Sequence, residues 1–284
     1  MTTTASARLT LILNSVQQLR PMPTNISRVL RAMEDPLASA GIISDLIGLD
    51  QALAALLLQC ANSAAMGYGS TCSSIDDAVM RLGFKRVRTI ILGAGAAGPL
   101  NSRLNGYHIG AGKLWEHSIA AATAAGWLAK AIHYSEPEEA YVAGLLHDMG
   151  KLLLDQYVNT DYNKLIDNMK RRNLQLWQVE EQLFGIDHAG VGGLMADKWQ
   201  FPAHLADAIR YHHAPSLART KQELAALVNI ANSFTPSIMN DMVDLDKRTI
   251  HPETPRILKL SDEKIAHLQT EFNESLKFGQ SNTL

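Results

Sequence analysis

Residues 143–157, AGLLHDMGKLLLDQY, place His147 beside Asp148 inside a leucine-rich run. A neutral imidazole and a carboxylate oxygen are both ligands for divalent cations, so this pair could do metal chemistry. A plainer reading competes with it. At about 100° per residue, His147, Asp148, Lys151 and Asp155 fall on one arc, while Leu145, Leu146, Met149, Leu152 and Leu153 cover the other side. That is the pattern of a surface helix with a solvated polar face, and the stretch alone leaves both readings standing.

Five of the ten histidines form a series: His117 in LWEHS, His147 with Asp148, His188 in GIDHAG, and His212 with His213 in YHHAP. Glu116, Asp148 and Asp187 adjoin three of these positions, whereas His108, His133, His204, His251 and His267 lack such company. Imidazoles with one carboxylate suit a divalent transition metal such as Fe, Mn or Zn, and the shortage of carboxylates argues against Mg or Ca. Successive helical residues diverge by about 100°, so an ion lying between the directions of His147 and Asp148 could accept both. Lys151, one turn on, would face the same cavity and hold a substrate phosphate, while the metal lowers the pKa of a water to make the nucleophile. The bland alternatives are satisfied core or surface histidines, and an HH pair that ends a helix, where cations are favoured.

These residues need helices to position them. Ile43, Leu46, Ile47, Leu53, Leu56, Leu57 and Cys60 make one stripe, and Ile75, Val79, Leu82, Val87, Ile90 and Ile91 make another within residues 74–92. Sustained period-two alternation is hard to find, so the fold class is all-α. Helix starts are signalled by Thr24 or Asn25 after Pro21 and Pro23, by Ser44, and by Ser74 with Asp77 three residues on. Stops are signalled at Asp35-Pro36, at MGYGS (66–70) and at GAGAAGP (93–99). SIAAATAAGWLAKAI (118–132) reads as an Ala-rich helix inside the protein, too short and too interrupted by Lys130 to span a bilayer. Residues 98–112 hold four glycines and a proline, which makes them the best internal boundary. The region after 235 is less regular. It ends in an amphipathic helix capped by Ser261 and marked by Ile265, Leu268, Phe272 and Leu276, with fraying expected over 278–284.

Bulk composition bounds the function. The 284 residues are 46% hydrophobic and 19% charged, with Lys and Arg at 26 against Asp and Glu at 28. This balance supplies no global attraction to nucleic acid or anionic membrane, and FKRVR (84–88) and KRR (170–172) read as solvated faces rather than nucleic-acid contacts. Cys60 and Cys72 have no CxxC spacing, which fits a reducing cytoplasm. The N-terminus carries no signal-peptide pattern. Gly93, Gly95 and Gly98 spell GxGxxG, with Glu116 roughly where a ribose-binding acid would stand, but no strand–helix alternation surrounds them. They read as a helix C-terminus packed closely through small residues.

The order LWEHS, AYVAGLLHDMGKLLL, FGIDHAGVGGLMADKWQFP, IRYHHAP resembles the HD superfamily of metal-dependent phosphohydrolases. The first half sharpens the match. LRPMPTNISRVLRAMEDP, IISDLIGLDQALAALLLQCANSA and SSIDDAVMRLGFKRVRTIIL resemble the N-terminal half of HDOD domains, the HD-related output domains of bacterial signalling proteins. The resemblance covers about residues 15–235. It implies an HDOD fold with a helical subdomain (15–98) packed on an HD-like bundle (112–235), an N-terminal extension (1–14) and a C-terminal extension with a terminal helix (236–284).

By motif position the resemblance also implies metal ligands: His117, His147 and Asp148 around one ion, and His188, His212 and His213 around a second. Asp148 and Lys151 would be the catalytic pair. Asn232 stands where HD hydrolases place a late aspartate and is a further candidate ligand, through a neutral amide oxygen that binds a hard cation more weakly; no GYP tripeptide follows YHHAP as it does in HD-GYP relatives that cleave cyclic di-GMP. Two functions follow. One is a non-catalytic signalling module that retains a metal site and acts through partner proteins, since no receiver-like or GGDEF-like stretch is recognisable. The other is a metal-dependent phosphohydrolase acting on nucleotides or cyclic dinucleotides. Oligomeric state has no signature in the sequence.

Overall fold

A computed structural model describes residues 5–19, 22–63, 71–158, 161–236 and 249–281. Every regular element among these residues is helical, and the sole extended feature is an isolated bridge between Leu104 and Ile109. No described helix is long and apolar enough to cross a membrane. The chain divides into two compact units, residues 20–98 and residues 1–19 with 99–284.

In the 20–98 unit, α2 (Thr24–Ala32), α3 (Ala40–Gly48), α4 (Gln51–Ala61) and α5 (Ile75–Leu100) bury Ile26, Val29, Ile43, Ile47, Leu53, Leu57, Val79 and Val87. Several starts differ from the sequence expectation. Pro23 takes the N-cap position of α2 and supplies no side-chain bond, so neither Thr24 nor Asn25 caps it, and Pro21 lies outside the described residues. Ser39 caps α3, and Ser44 is buried mid-helix, where its hydroxyl donates to the Ala40 carbonyl at 2.8 Å. The apolar stripe from Ile43 to Cys60 is cut in two because Asp50 accepts from the Ala52 and Leu53 amides and starts α4. A side chain that caps overrides a periodicity that merely continues.

Ser74 does cap its helix, accepting from the Asp77 amide at 3.1 Å, while the Asp77 carboxylate turns to Arg81. The second stripe is interrupted at Gly83, whose φ of 73° lies in the left-handed region that other residues avoid. The glycines of GAGAAGP are helical, α5 ends only at Leu100, and a Cβ on Gly95 would sit 3.0 Å from Ile26. This is close helix packing, not a nucleotide loop. The MGYGS stop lies outside the described residues, whose flanks are joined by Asn62 bonding both backbone groups of Cys72.

The other unit is built on α6 (Lys113–Ala131), α7 (Pro137–Leu146), α8 (Lys151–Val158), α9 (Tyr162–Arg172), α10 (Leu176–Phe184), α11 (His188–Lys198), α12 (Ala203–Arg210) and α13 (Gln222–Phe234), with α14 (Thr254–Leu258) and α15 (Asp262–Ser281) after it. The Ala-rich α6 is inside, as its composition suggests, burying Ala121, Ala122, Ala124, Ala125 and Ala129. Small side chains let α7 and α13 approach it closely. The N-terminal α1 (Ala5–Gln18) belongs to this unit, held by an Arg8–Asp161 ion pair at 2.7 Å and a Ser15–Tyr157 hydrogen bond at 2.7 Å. Ser261 caps α15 through the Lys264 amide, and Ile265, Leu268 and Phe272 are buried. Leu276 is exposed, and the helix continues to Ser281, past the onset of fraying suggested by the sequence.

Candidate metal centre

The run 143–157 is not one amphipathic helix. α7 ends at Leu146, residues 147–150 form a turn, and α8 starts at Lys151. Within the junction the bonds tighten to three-residue spacing, from Met149 to Leu146 and from Lys151 to Asp148. Gly150 explains the turn's position, since a Cβ there would lie 1.9 Å from the His188 carbonyl oxygen and 2.6 Å from the Gly192 amide. The solvated-face reading fails at the same place: His147 is 0%, Asp148 1% and Lys151 6% exposed. The junction carries the HD pair into the interior.

Two histidine clusters meet there. His117, in the second turn of α6, has its Nε2 3.3 Å from His147 Nε2. Nδ1 of His147 contacts the Gly144 carbonyl at 2.7 Å. A carbonyl only accepts, so Nδ1 carries the proton and Nε2 presents a lone pair. The Thr235 hydroxyl donates to the Asn232 carbonyl at 2.8 Å and faces His117 Nδ1 at 3.3 Å, which directs that imidazole the same way. His188 opens α11, with Asp187 as the N-cap accepting from the Gly190 amide. His188 Nδ1 donates to Glu180 Oε2 at 2.6 Å, and its Nε2 lies 3.0 Å from His213 Nε2. His212 Nδ1 donates to the Ile209 carbonyl at 2.8 Å just past α12.

Asp148 joins the clusters. Its Oδ2 takes a 2.6 Å bond from Lys151 Nζ and lies 3.4 Å from His117 Nε2; its Oδ1 lies 3.5 Å from His147 Nε2 and 3.2 Å from His188 Nε2. Among the described residues two groups have ligand atoms close enough for one ion each: His117, His147 and Asp148, and His188, His212 and His213.

The donor set fits a divalent transition metal. His212 Nε2 is buried without a hydrogen-bond partner, an arrangement that is costly unless another group meets it. Burial, with His117 and Lys151 adding to it against the pull of Asp148, lowers His147 to about 3, so it stays neutral. Burial and the neighbouring imidazoles hold His212 and His213 well below the usual histidine range. Burial opposes ionisation of Asp148, but the surrounding His147, Lys151, His117 and His188 side chains outweigh it and hold the carboxyl well below the usual carboxylate range. At His188 burial also works downward, yet the Glu180 charge wins and raises it to about 9. His147, His212 and His213 as neutral imidazoles and Asp148 as a carboxylate are in the protonation states that ligation requires, whereas His188, charged through Glu180, would give up its Nε2 proton on ligation.

Seven sequence candidates therefore stand together: His117, His147, Asp148, Lys151, His188, His212 and His213. Asn232 is buried on α13 and, with Lys151, His188 and His213, lines a cavity of about 310 Å³. Glu116 is on the surface in an ion pair with Lys113, and Asp187 is a cap, so neither belongs to the ligand set. The histidines set aside also have company. His204 pairs with Glu139, His267 with Glu271, and His251 lines the cavity.

Sequence reasoning missed Glu180, which is 0% exposed and accepts from His188 twice and from the Tyr107 hydroxyl at 2.7 Å. A signal was present, since Glu180 sits four residues from both Leu176 and Phe184 on the buried face of α10. It also missed Thr235, and Asn229, whose amide donates to the His212 carbonyl at 2.8 Å.

The chain is similar to proteins of known structure and sequence. It aligns over 95% of its length with 95% of an HDOD domain protein of unknown function from Geobacter sulfurreducens, at 25% identity and a TM-score of 0.66. It covers 93% of a candidate phosphohydrolase from Shewanella amazonensis SB2B over 93% of its own length (23% identity, TM-score 0.68), and 63% of a candidate signal transduction protein from Marinobacter aquaeolei VT8 over 96% (22% identity, TM-score 0.68). An uncharacterized protein of Treponema pallidum (strain Nichols) is 27% identical over 248 residues, and the chain, matched over 87% of its length, spans less than half, 46%, of that relative. The HDOD domain profile matches residues 19–215, which include the HD pair and all five clustered histidines, and the chain belongs to the HDOD domain family.

Proposed function

We propose that this chain is a signal-transduction module of the bacterial cytoplasm in which an HD-type centre retains a divalent transition metal and acts by binding rather than turnover. The observation that carries the metal reading is the convergence of imidazole Nε2 atoms on Asp148, with that of His212 left without a hydrogen-bond partner. Nitrogen ligands with one carboxylate favour Fe, Mn or Zn. His188, His212 and His213 would hold one ion, and His117, His147 and Asp148 a second. When bound, such an ion supplies Lewis acidity and neutralises phosphoryl charge.

Two features favour binding without turnover. Lys151 is engaged by Asp148 at 2.6 Å, and Asn232 offers a neutral amide where a carboxylate would hold a hard cation more strongly. Signalling proteins would then be the partners that read the state of the site.

A second reading, hydrolysis of a nucleotide or cyclic dinucleotide, is favoured by the cavity that reaches Lys151, His188 and His213 together. One experiment separates the readings. Protein purified without added metal is analysed for its elements, then supplied with Fe, Mn or Zn and assayed on a phosphoester panel that includes cyclic di-GMP. One or two transition-metal ions per chain and no turnover is the expected result. Turnover abolished by His147→Ala would replace it with the hydrolase reading, and protein that holds no metal would overturn the retained site.

A further inference from the structure

The cavity that His188 and His213 line is also lined by Thr249, His251 and Pro252, well past residue 215, where the HDOD match ends. This segment is clasped to the metal-ligand turn by a single side chain. The Asn229 amide nitrogen donates to the His212 carbonyl at 2.8 Å, and its oxygen accepts from the His251 amide at 2.9 Å and the Thr254 hydroxyl at 2.8 Å. Thr254 is 0% exposed, so the anchor is buried.

A neighbouring backbone amide sets the tautomer of His251. Its Nδ1 accepts from the Glu253 amide at 3.2 Å, so in the neutral ring the proton is on Nε2 and the side chain is a donor. Lys151 spends one of its three N–H donors on Asp148. Gln175, Gln178 and Asn232 add amides to the lining, and no described lining residue is Asp or Glu. A cavity lined by a cation and neutral donors, without an acid, selects an anion.

We infer that His251 is a ligand-contacting residue of this cavity, donating Nε2–H to an oxoanion of the phosphate class whose other side faces Lys151. Asn229 is the positioning residue that holds this segment in register with the His212–His213 turn. The inference rests on the ligand cavity of the function proposed above, but it does not require the metal, because Lys151 and His251 supply donors of their own.

The test titrates inorganic phosphate into the full chain by calorimetry, in metal-free and metal-loaded forms, with metal content measured in parallel. His251→Ala should weaken phosphate binding roughly tenfold, the loss of one hydrogen bond to a charged group, with metal content unchanged. His251→Gln, which restores an N–H donor, should recover most of the affinity, a result that a merely structural role would not give. Phosphate binding that is absent in the parent, or equal in the parent and His251→Ala, overturns the inference whatever the metal content. Absence of metal with phosphate binding intact overturns the metal reading alone.

Discussion

Glu180 Oε2 and His188 Nδ1 are 2.6 Å apart at a site where both side chains are shut away from water. The carboxylate fixes the imidazole tautomer, adds negative charge behind it, and is itself held by Tyr107. Partners of this kind raise the basicity of a ligating histidine.

Replacing Glu180 with Gln keeps an acceptor oxygen but removes the charge. Zinc affinity of the full chain should fall by about 10–100-fold, read by competition with a chromophoric chelator. An unchanged affinity would mean that His188 is not a ligand.

Gly150→Ala forces a methyl against backbone atoms of His188 and Gly192, which cannot rotate away as a side chain can. Overpacking of this sort costs about 1–3 kcal/mol or more, so the melting temperature should drop by roughly 5–10 °C. Loss of metal binding should accompany it, because the contact joins the turn carrying His147 and Asp148 to the helix opened by His188. A variant with parental melting temperature would show that the turn and α11 can separate freely.

Glu139, on α7, accepts from Lys221 Nζ at 2.6 Å and lies 3.3 Å from His204 Nε2 on α12. Burial alone would raise its carboxyl, but these two partners outweigh it and hold it at about 2 against an ordinary 4.5. A folded value below the unfolded one means stability that is fully present above about 4.5 and is lost as pH falls toward 2. Urea unfolding should find Glu139→Gln weaker than the parent at pH 7, with the gap narrowing through that window. A gap independent of pH would refute the ionic origin.

Asn232→Asp restores a carboxylate beside the centre. A unit charge about 4 Å from another is worth about 4 kcal/mol at an effective dielectric of about 20, and desolvation of the new carboxylate consumes part of this. Metal affinity should rise on the order of tenfold, equivalent to about 1.4 kcal/mol. Equal metal titrations for parent and variant would place residue 232 outside the coordination sphere.

Much of this architecture is legible in the sequence, for identifiable reasons. Helical periodicity and the Ala-rich stretch report burial directly, and Ser74 and Ser261 cap where their spacing suggests. The clustering of His117, His147, Asp148, His188, His212 and His213 is what the resemblance of their motifs to the HD superfamily implies, and the structure brings them together in two groups joined by Asp148. The break at 147–150 is not legible, because its leucines continue the helical period and the cause, a carbonyl of His188 pressed on Gly150, is distant in the chain. The break at Gly83 depends on a backbone angle that the periodicity of its neighbours conceals. Glu180 looks like a solvated charge until Tyr107 and His188 are found around it, and no spacing rule links Asn229 to His251.

Asp148 sets Oδ2 beside His117 and Oδ1 between His147 and His188, so ions held at the two positions would draw on a single negative charge. A first cation bound there would neutralise part of what a second would need. Loading would then be a sequence of unequal steps, with a plateau at one equivalent before any second ion enters, and each occupancy would be its own state of the molecule.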